Sequence, residues 1–428
     1  MSTIVDPAMI VRCTACGTRL DDRSAHATCP DCGGLLEVEQ DWSGAGLDAG
    51  GAALRARFDA RLGARGDAAS LRSGVWRFAE LVLPGASARE IVSHPEGDTP
   101  LLARDAVAAH AGVSWLRLKH EGHNPTGSFK DRGMTAALTQ AVRVGARAVA
   151  CASTGNTSAS LASYAAHAGL PAFVMVPHGK VALGKLAQTL AYGARVVQVL
   201  GDFDDCLRLT REASERLGVY LANSVNPFRV EGQKTIVLEL LQQLAWEPPD
   251  WIALPAGNLG NTAAFGKALR EAHALGLIPR VPRLLAVQAA GAAPFARGFA
   301  EGFATRHRVR AETRASAIRI GDPASWDRGV AAIGATRGAV VAVSDDEIMR
   351  AKQVIDRAGV GCEPASAASV AGVRALVERG TIMPDERVVA VLTGHLLKDP
   401  DAAMEGAELP PPVPVEEVLG RLEGELGG

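Results

Sequence analysis

From residue 101 to the last apolar run near residue 392, short hydrophobic stretches alternate with longer amphipathic ones. The runs at 115–119, 147–152, 172–176, 195–199, 218–222, 250–254, 283–288 and 387–392 are five or six residues long and read as strands. Helical periodicity starts near 128, 157, 183, 204, 231, 260, 346 and 364. Strands of this length alternating with helices of ten or more residues imply βαβ units and largely parallel sheets, an α/β fold. Such sheets bind ligands beyond the carboxyl ends of their strands, so the chemistry is sought in the strand-to-helix loops. The stretch 290–345 breaks the rhythm with Arg-rich and Gly-rich pieces, and no element is assigned there. Residues 41–98 mix Gly, Ala and Arg, with helical spacing from Ala52 to Leu62, and read as a helical linker. There is no solenoid repeat and no run of eighteen apolar residues, so no membrane span is expected.

Composition narrows the function classes. With 45 basic and 47 acidic groups the formal net charge is −2, which excludes a polyanion binder working through bulk charge. Aromatic residues are 4% of the chain, too few for a stacking platform for single-stranded nucleic acid. A length of 428 residues predicts two or three domains. The seven cysteines are an odd number, and Cys13, Cys16, Cys29 and Cys32 form two C-x-x-C pairs, each followed by glycine (Gly17 and Gly33). Two such turns aim four thiolates at one ion, the zinc-ribbon arrangement; a four-thiolate site has no open position and is structural. The alternative is four free surface thiols. The clustering points to a reducing compartment, and the first residues lack a signal-peptide pattern, so a cytoplasmic enzyme is expected.

Four loops carry candidate chemistry. In His123–Gly133, Ser128 is placed to cap a helix and Lys130 falls in its first turn. A lysine there opposes the macrodipole and is a candidate for a lowered pKa or a Schiff base, or else a solvated surface residue. Ser153–Ser158 offers amides and small hydroxyls at a helix start, suited to an anion or to simple capping. Gly257–Thr262 has two glycines three apart before a helix, either a phosphate turn or an ordinary Gly-rich turn. Thr393, after the last strand, can offer a hydroxyl to a buried heteroatom or merely end the strand. Cys151, Cys206 and Cys362 are expected to be packed thiols.

Together these segments resemble one family. N-P-T-G-S-F-K-D-R-G (124–133), S-T-G-N-T-S-A-S (153–160) and G-N-L-G-N (257–261) are similar to those of pyridoxal-phosphate enzymes of the tryptophan-synthase β fold. Within that fold, N-S-V-N-P-F-R-V-E-G-Q-K-T (223–235), Pro177–Gln188, Ala317–Trp326, Cys362–Ser369 and Leu392–Pro400 resemble the threonine synthases. The resemblance spans about residues 95–410 and fits the N-terminal ribbon.

It implies two parallel-sheet αβα domains: 99–130 with 226–410 as a large cofactor-binding domain and 131–225 as a small mobile one. A zinc ribbon over 1–40 and the linker 41–98 precede them, and a tail helix over 411–428 follows. By the family pattern Lys130 is the catalytic lysine that holds pyridoxal 5′-phosphate, with Phe129 near the ring and Asn156 on the 3′ oxygen. Gly257, Asn258, Leu259, Gly260 and Asn261 would hold the cofactor phosphate, and Thr393 would face the pyridine nitrogen. Ser153, Thr154, Asn223, Ser224 and Arg229 would bind a phosphoamino acid substrate. A homodimer with small-molecule partners and no nucleic acid is implied. His123, His178, Asp322 and Leu396 depart from the family pattern and leave room for a paralogue with another substrate. The rival readings are a threonine or serine dehydratase on this fold and a non-catalytic zinc-ribbon interaction protein.

Overall fold

The computed structural model describes residues 7–43, 51–63, 71–179, 183–405 and 411–426. Its strands form three sheets. The first is small and antiparallel: β1 (Ala8–Cys13) lies between β2 (Arg19–Leu20) and β3 (Leu36–Asp41). The largest has β4 (Leu101–Leu102), β5 (Trp115–His120), β10 (Trp251–Pro255), β11 (Arg283–Ala289), β12 (Ala339–Val343) and β13 (Arg387–Leu392). Their order is β12-β11-β10-β13-β5-β4, parallel except for the edge strand β4. The third sheet is wholly parallel, with β6 (Val149–Ala152), β7 (Ala172–Pro177), β8 (Arg195–Val199) and β9 (Tyr220–Leu221) in the order β8-β7-β6-β9.

The apolar runs expected as strands are β5 to β11 and β13; most are buried on both faces and so lack polar alternation, whereas β8, at the edge of its sheet, is largely exposed. The expected helices are Lys130–Arg143, Asn156–Ala168, Leu183–Ala191, Phe203–Leu217, Pro227–Gln233 continuing into Thr235–Gln243, Gly260–Ala274, Asp345–Arg357 and Pro364–Glu378. In the stretch 290–345, a helix (Trp326–Ala335) leads into β12, which pairs parallel to β11. Gly329 and Gly334 weaken its helical signal, yet a Cβ on Gly329 would meet Leu259 Cδ1 at 3.0 Å and Phe295 Cζ at 3.2 Å. Packing against the Leu259 turn therefore selects a poor helix former. The tail contains a helix over Val418–Leu426; residues 427–428, 406–410, 180–182, 64–70, 44–50 and 1–6 of the expected elements lie outside the described residues.

One buried ionic network ties the large sheet to its helices. Arg132 pairs with Glu121 at 2.6 Å and Glu239 at 2.8 Å, and Glu239 also receives Lys119 at 2.5 Å and Arg77 at 2.9 Å. Burial disfavours the charge on Glu239, but the three cations overcome it and hold its carboxyl far below the usual range.

Candidate active site

The carboxyl ends of β5, β6, β10 and β13 open onto one cavity of about 1310 Å³. It is lined by Phe129, Lys130, Ser153, Thr154, Asn156, Asn223, Ser224, Arg229, the whole turn Gly257–Asn261, and Thr393. Every cofactor and substrate residue expected from the sequence is thus brought to one wall or another of a single space.

The lysine loop is pinned from both sides. Asp131 accepts hydrogen bonds from the Thr126 amide (2.7 Å), the Thr126 hydroxyl (2.6 Å) and Ser160 (2.6 Å). The Phe129 amide donates to Thr393 O at 3.0 Å and His395 N to Gly127 O at 2.9 Å, fastening the loop to the end of β13. The helix starts at Lys130 with Phe129 as its cap. Ser128 makes only a 3.4 Å contact from Lys130 N, so the expected serine cap gives way to the tie with β13. The Lys130 amine lies 4.1 Å from the Phe129 ring centroid. Some of its surface faces the cavity, but protein encloses the rest. Burial foremost, and the nearby Arg229 charge, bring its pKa down to about 7, against the pull of Glu363.

Around it stand three polar groups. Asn156, first residue of its helix, donates from Nδ2 to Glu363 at 3.1 Å. Thr393 Oγ1 lies 3.1 Å from Ser366 Oγ, which also accepts the Gly394 amide at 2.9 Å. Glu363 has its pKa raised by burial, with Asn156, Lys398 and Lys130 opposing the rise. Sequence reading gave Glu363 and Lys398 no role. Lys398 Nζ bonds Thr126 O at 3.1 Å and Gln188 Oε1 at 2.5 Å, joining the lysine loop to the Leu183–Ala191 helix. The sole local signal for Glu363 was a carboxylate just before a proline that opens an almost wholly buried helix.

On the opposite wall, Leu259 adopts a left-handed conformation (φ 61°) and caps the Gly260–Ala274 helix. A Cβ on Gly257 would come within 3.0 Å of the Ile318 backbone, so glycine is needed for the turn to approach that segment. Asn261 Oδ1 and Thr262 Oγ1 are buried there without a hydrogen-bond partner. Asn258 is held by Ser224 Oγ (2.6 Å) and by the Ala324 amide (2.6 Å). Asn223 lines the cavity, but its carboxamide bonds both the N–H and the C=O of Ala152 at 3.0 Å, which joins the ends of β9 and β6. Arg229 is 1% exposed. Its Nη1 reaches Ala222 O at 3.3 Å, while Nε and Nη2 have no partner among the described residues. Burial lowers its pKa to about 10. A buried guanidinium with two unused donors beside a cavity is a receptor for an anion.

Of the four positions that depart from the family pattern, only Asp322 lines the cavity, bonded to Arg306 at 2.6 Å. His123 and His178 are exposed, and Leu396 packs near Gly361.

Away from the cavity, the sulfurs of Cys13, Cys16, Cys29 and Cys32 lie within 4.8 Å of one another. Three of the pairs stand at 3.4–3.6 Å. A tetrahedral zinc with Zn–S near 2.3 Å requires sulfurs about 3.8 Å apart, so the cluster is of the right size for one ion. The two turns match: Gly17 N bonds Cys13 O, Gly33 N bonds Cys29 O, and both glycines have positive φ. Among the described residues no helix is long and apolar enough to cross a membrane.

Residues 92–394 match the family model of pyridoxal-phosphate dependent enzymes, and the chain belongs to that family. The curated proteins that it resembles include threonine synthases. That of Methanocaldococcus jannaschii is 43% identical over 427 residues, 98% of this chain and all of the relative. That of Mycobacterium tuberculosis is 49% identical over 325 residues, 76% of this chain and 88% of the relative. Among solved structures, Escherichia coli threonine synthase superposes with a TM-score of 0.71 at 18% identity, covering 96% of this chain and 94% of that one. The processed threonine deaminase isoform 2 of Solanum lycopersicum gives 0.63 at 20% identity, covering 83% and 94%. At such identities the structural likenesses establish the fold alone.

Proposed function

We propose that this chain is a threonine synthase, converting O-phospho-L-homoserine and water to L-threonine and phosphate. The observation that carries the substrate is Arg229, a buried cation whose Nε and Nη2 are unpaired beside Lys130. A phosphate dianion satisfies such a fork, whereas the substrate of a dehydratase has no phosphate and a single carboxylate, for which the Ser153–Ser158 loop is suited.

The residues fit pyridoxal phosphate. An amine with pKa near 7 is in large part neutral and nucleophilic at physiological pH, as a cofactor-holding lysine must be. The Gly257–Asn261 turn, with a helix N-terminus and the unsatisfied Asn261 and Thr262 behind it, suits the cofactor phosphate. Asn156 would hold the 3′ oxygen, Phe129 would pack near the ring, and Thr393 would meet the pyridine nitrogen with a neutral hydroxyl. Bound there, the cofactor supplies an electron sink for charge developing on the substrate carbons. Lys130 Nζ removes the Cα proton and then a Cβ proton as phosphate leaves from Cγ; protons are returned at Cγ and Cα, and water adds at Cβ to give threonine. Arg229 and Ser224 receive that phosphate, and Asn223 fixes the strand ends from which they project. Ser153 and Thr154, at the start of the Asn156–Ala168 helix, take the substrate carboxylate. A positioned base contributes about 10²–10⁴-fold. Closure of residues 131–225 over the large domain would exclude water until elimination is complete, with Lys398 and Gln188 at the seam.

Cys13, Cys16, Cys29 and Cys32 hold a structural zinc ion in this reading. A cytoplasmic homodimer with no nucleic-acid partner is the working form that composition and family pattern suggest.

Phosphate release measured side by side with O-phosphohomoserine, O-phosphoserine and threonine tests the substrate. Release confined to O-phosphohomoserine, with threonine formed, is expected; ketoacid without phosphate would replace the proposal by a dehydratase. Lys130→Ala should abolish both turnover and the cofactor's visible absorbance, and a retained band would remove Lys130 from its role.

A further inference from the structure

A second guanidinium, outside the cavity lining, has two buried nitrogens that make no hydrogen bond among the described residues. Arg328 sits in the first turn of the Trp326–Ala335 helix and reaches out to the cysteine module, where Nη2 donates to Leu36 O. Leu36 is the residue directly opposite Cys13 in the β1–β3 ladder. The two remaining nitrogens, Nε and Nη1, are buried with no hydrogen-bond partner among the described residues. The carboxylates of Glu37 and Glu231 act on Arg328 ahead of Cys13, but their own ion pairs are with other cations: Glu231 with Lys234 at 2.6 Å and Lys267 at 2.5 Å, and Glu37 with Arg270 at 3.4 Å. An unpaired buried cation is costly unless some anion faces it. Cys13 acts on Arg328 in the same sense, and four thiolates around one divalent ion would add a net charge of −2 on that side.

We infer that Arg328 is the outer-sphere counter-charge of the Cys13–Cys16–Cys29–Cys32 metal centre and fastens that centre to the cofactor-phosphate turn. The inference rests on the proposed metal reading. The second half follows from the helix Arg328 occupies. Ser325 N, just before it, bonds Asn258 O at 3.3 Å, and Ala324 N bonds Asn258 Oδ1 at 2.6 Å. Asn258 belongs to the Gly257–Asn261 turn. The module also grips the next helix of that turn, since Lys267 of Gly260–Ala274 donates to Val38 O. Metal, Arg328 and cofactor turn are therefore three points on one continuous piece of packed structure. Arg328 acts as a positioning residue and touches no reacting atom.

The test uses the full-length holoenzyme. Metal content of the wild type by elemental analysis comes first: one zinc per chain is expected, and its absence under reducing, metal-replete conditions would end the metal reading itself. Competition for the ion with a chromogenic chelator is then compared across Arg328→Met, Arg328→Lys and Arg270→Met. Losing an outer-sphere partner typically costs 10–100-fold in metal affinity. Such a loss is expected for Arg328→Met, with partial rescue in Arg328→Lys and wild-type behaviour in Arg270→Met, which breaks a docking contact without facing the sulfurs. The affinity for pyridoxal phosphate, read by absorbance titration of resolved protein, should fall on zinc removal in the wild type. Wild-type chelator competition in a folded Arg328→Met protein overturns the inference while leaving the metal reading intact. Should the Met variant yield no folded protein, Arg328→Lys decides alone: an affinity loss supports the inference and an unchanged curve overturns it. Equal weakening by Arg270→Met would reduce Arg328 to a docking contact, and unaltered cofactor affinity after zinc removal would overturn the coupling.

Discussion

Arg132 and Arg229 are both fully buried arginines within reach of the same lysine loop, yet their nitrogens meet opposite fates. All three nitrogens of Arg132 are engaged: Nε with Glu121, Nη1 with Gly74 O at 3.1 Å, and Nη2 with Glu239 and Glu121 at 2.8 Å. Arg229 has one long bond and two idle nitrogens. The first arrangement is complete without any ligand and serves as scaffold. The second is incomplete, and its deficit is of the size and sign that a phosphate group makes good. Buried charge by itself therefore marks no active site; buried charge left unpaired at a cavity wall does.

That contrast can be broken experimentally. The largest effect is expected from Arg132→Met, which leaves Glu121 buried without its cation and takes from Glu239 one of its three: a loss of about 3–5 kcal/mol of stability, visible in chemical denaturation. A variant as stable as wild type would show that the network is not the scaffold described here. Arg229→Leu should do the reverse, leaving the melting temperature unchanged or higher while kcat/KM for the phosphorylated substrate falls about 10²–10³-fold. Intact turnover would place the phosphate elsewhere.

A third, smaller effect concerns pH. The cofactor-free protein holds Lys130 near pKa 7, below its ordinary 10.5. Between those values the unfolded chain binds a proton that the folded chain does not, so this lysine makes stability rise with pH from about 7 to 10.5. The wild type should gain stability relative to Lys130→Met between pH 7 and pH 9.5 in urea titrations. A constant difference would mean that the amine is not depressed. The smallest change is expected from Ser366→Ala, which removes the hydroxyl shared by Thr393 and the Gly394 amide: about 1 kcal/mol of stability, with a modest change in cofactor affinity measured by titration. No change in that affinity would detach Thr393 from its proposed place at the cofactor ring.

Much of the architecture was legible along the chain. Apolar runs of five or six residues located eight of the ten strands of the two larger sheets, and the segments after five of them carry the expected site residues. The failures have local causes. Two glycines hid the Trp326–Ala335 helix, β4 is only two residues long, and Ser128 resembled a cap until β13 claimed its backbone.

Spacing and residue type along the sequence determined the strand-helix alternation, the two cysteine turns, the lysine at a helix start and the glycine turn before another, because all of these are set by groups within a few residues of one another. Tertiary structure alone decided which buried charges are satisfied. Arg132 finds its partners 11, 58 and 107 residues away, and Arg229 and Arg328 fail to find theirs, because pairing depends on which side chains the packed layers bring to the same depth. Glu363 became visible as a site residue for the same reason: the end of the third sheet's β6 carries Asn156 to it across 207 residues of chain.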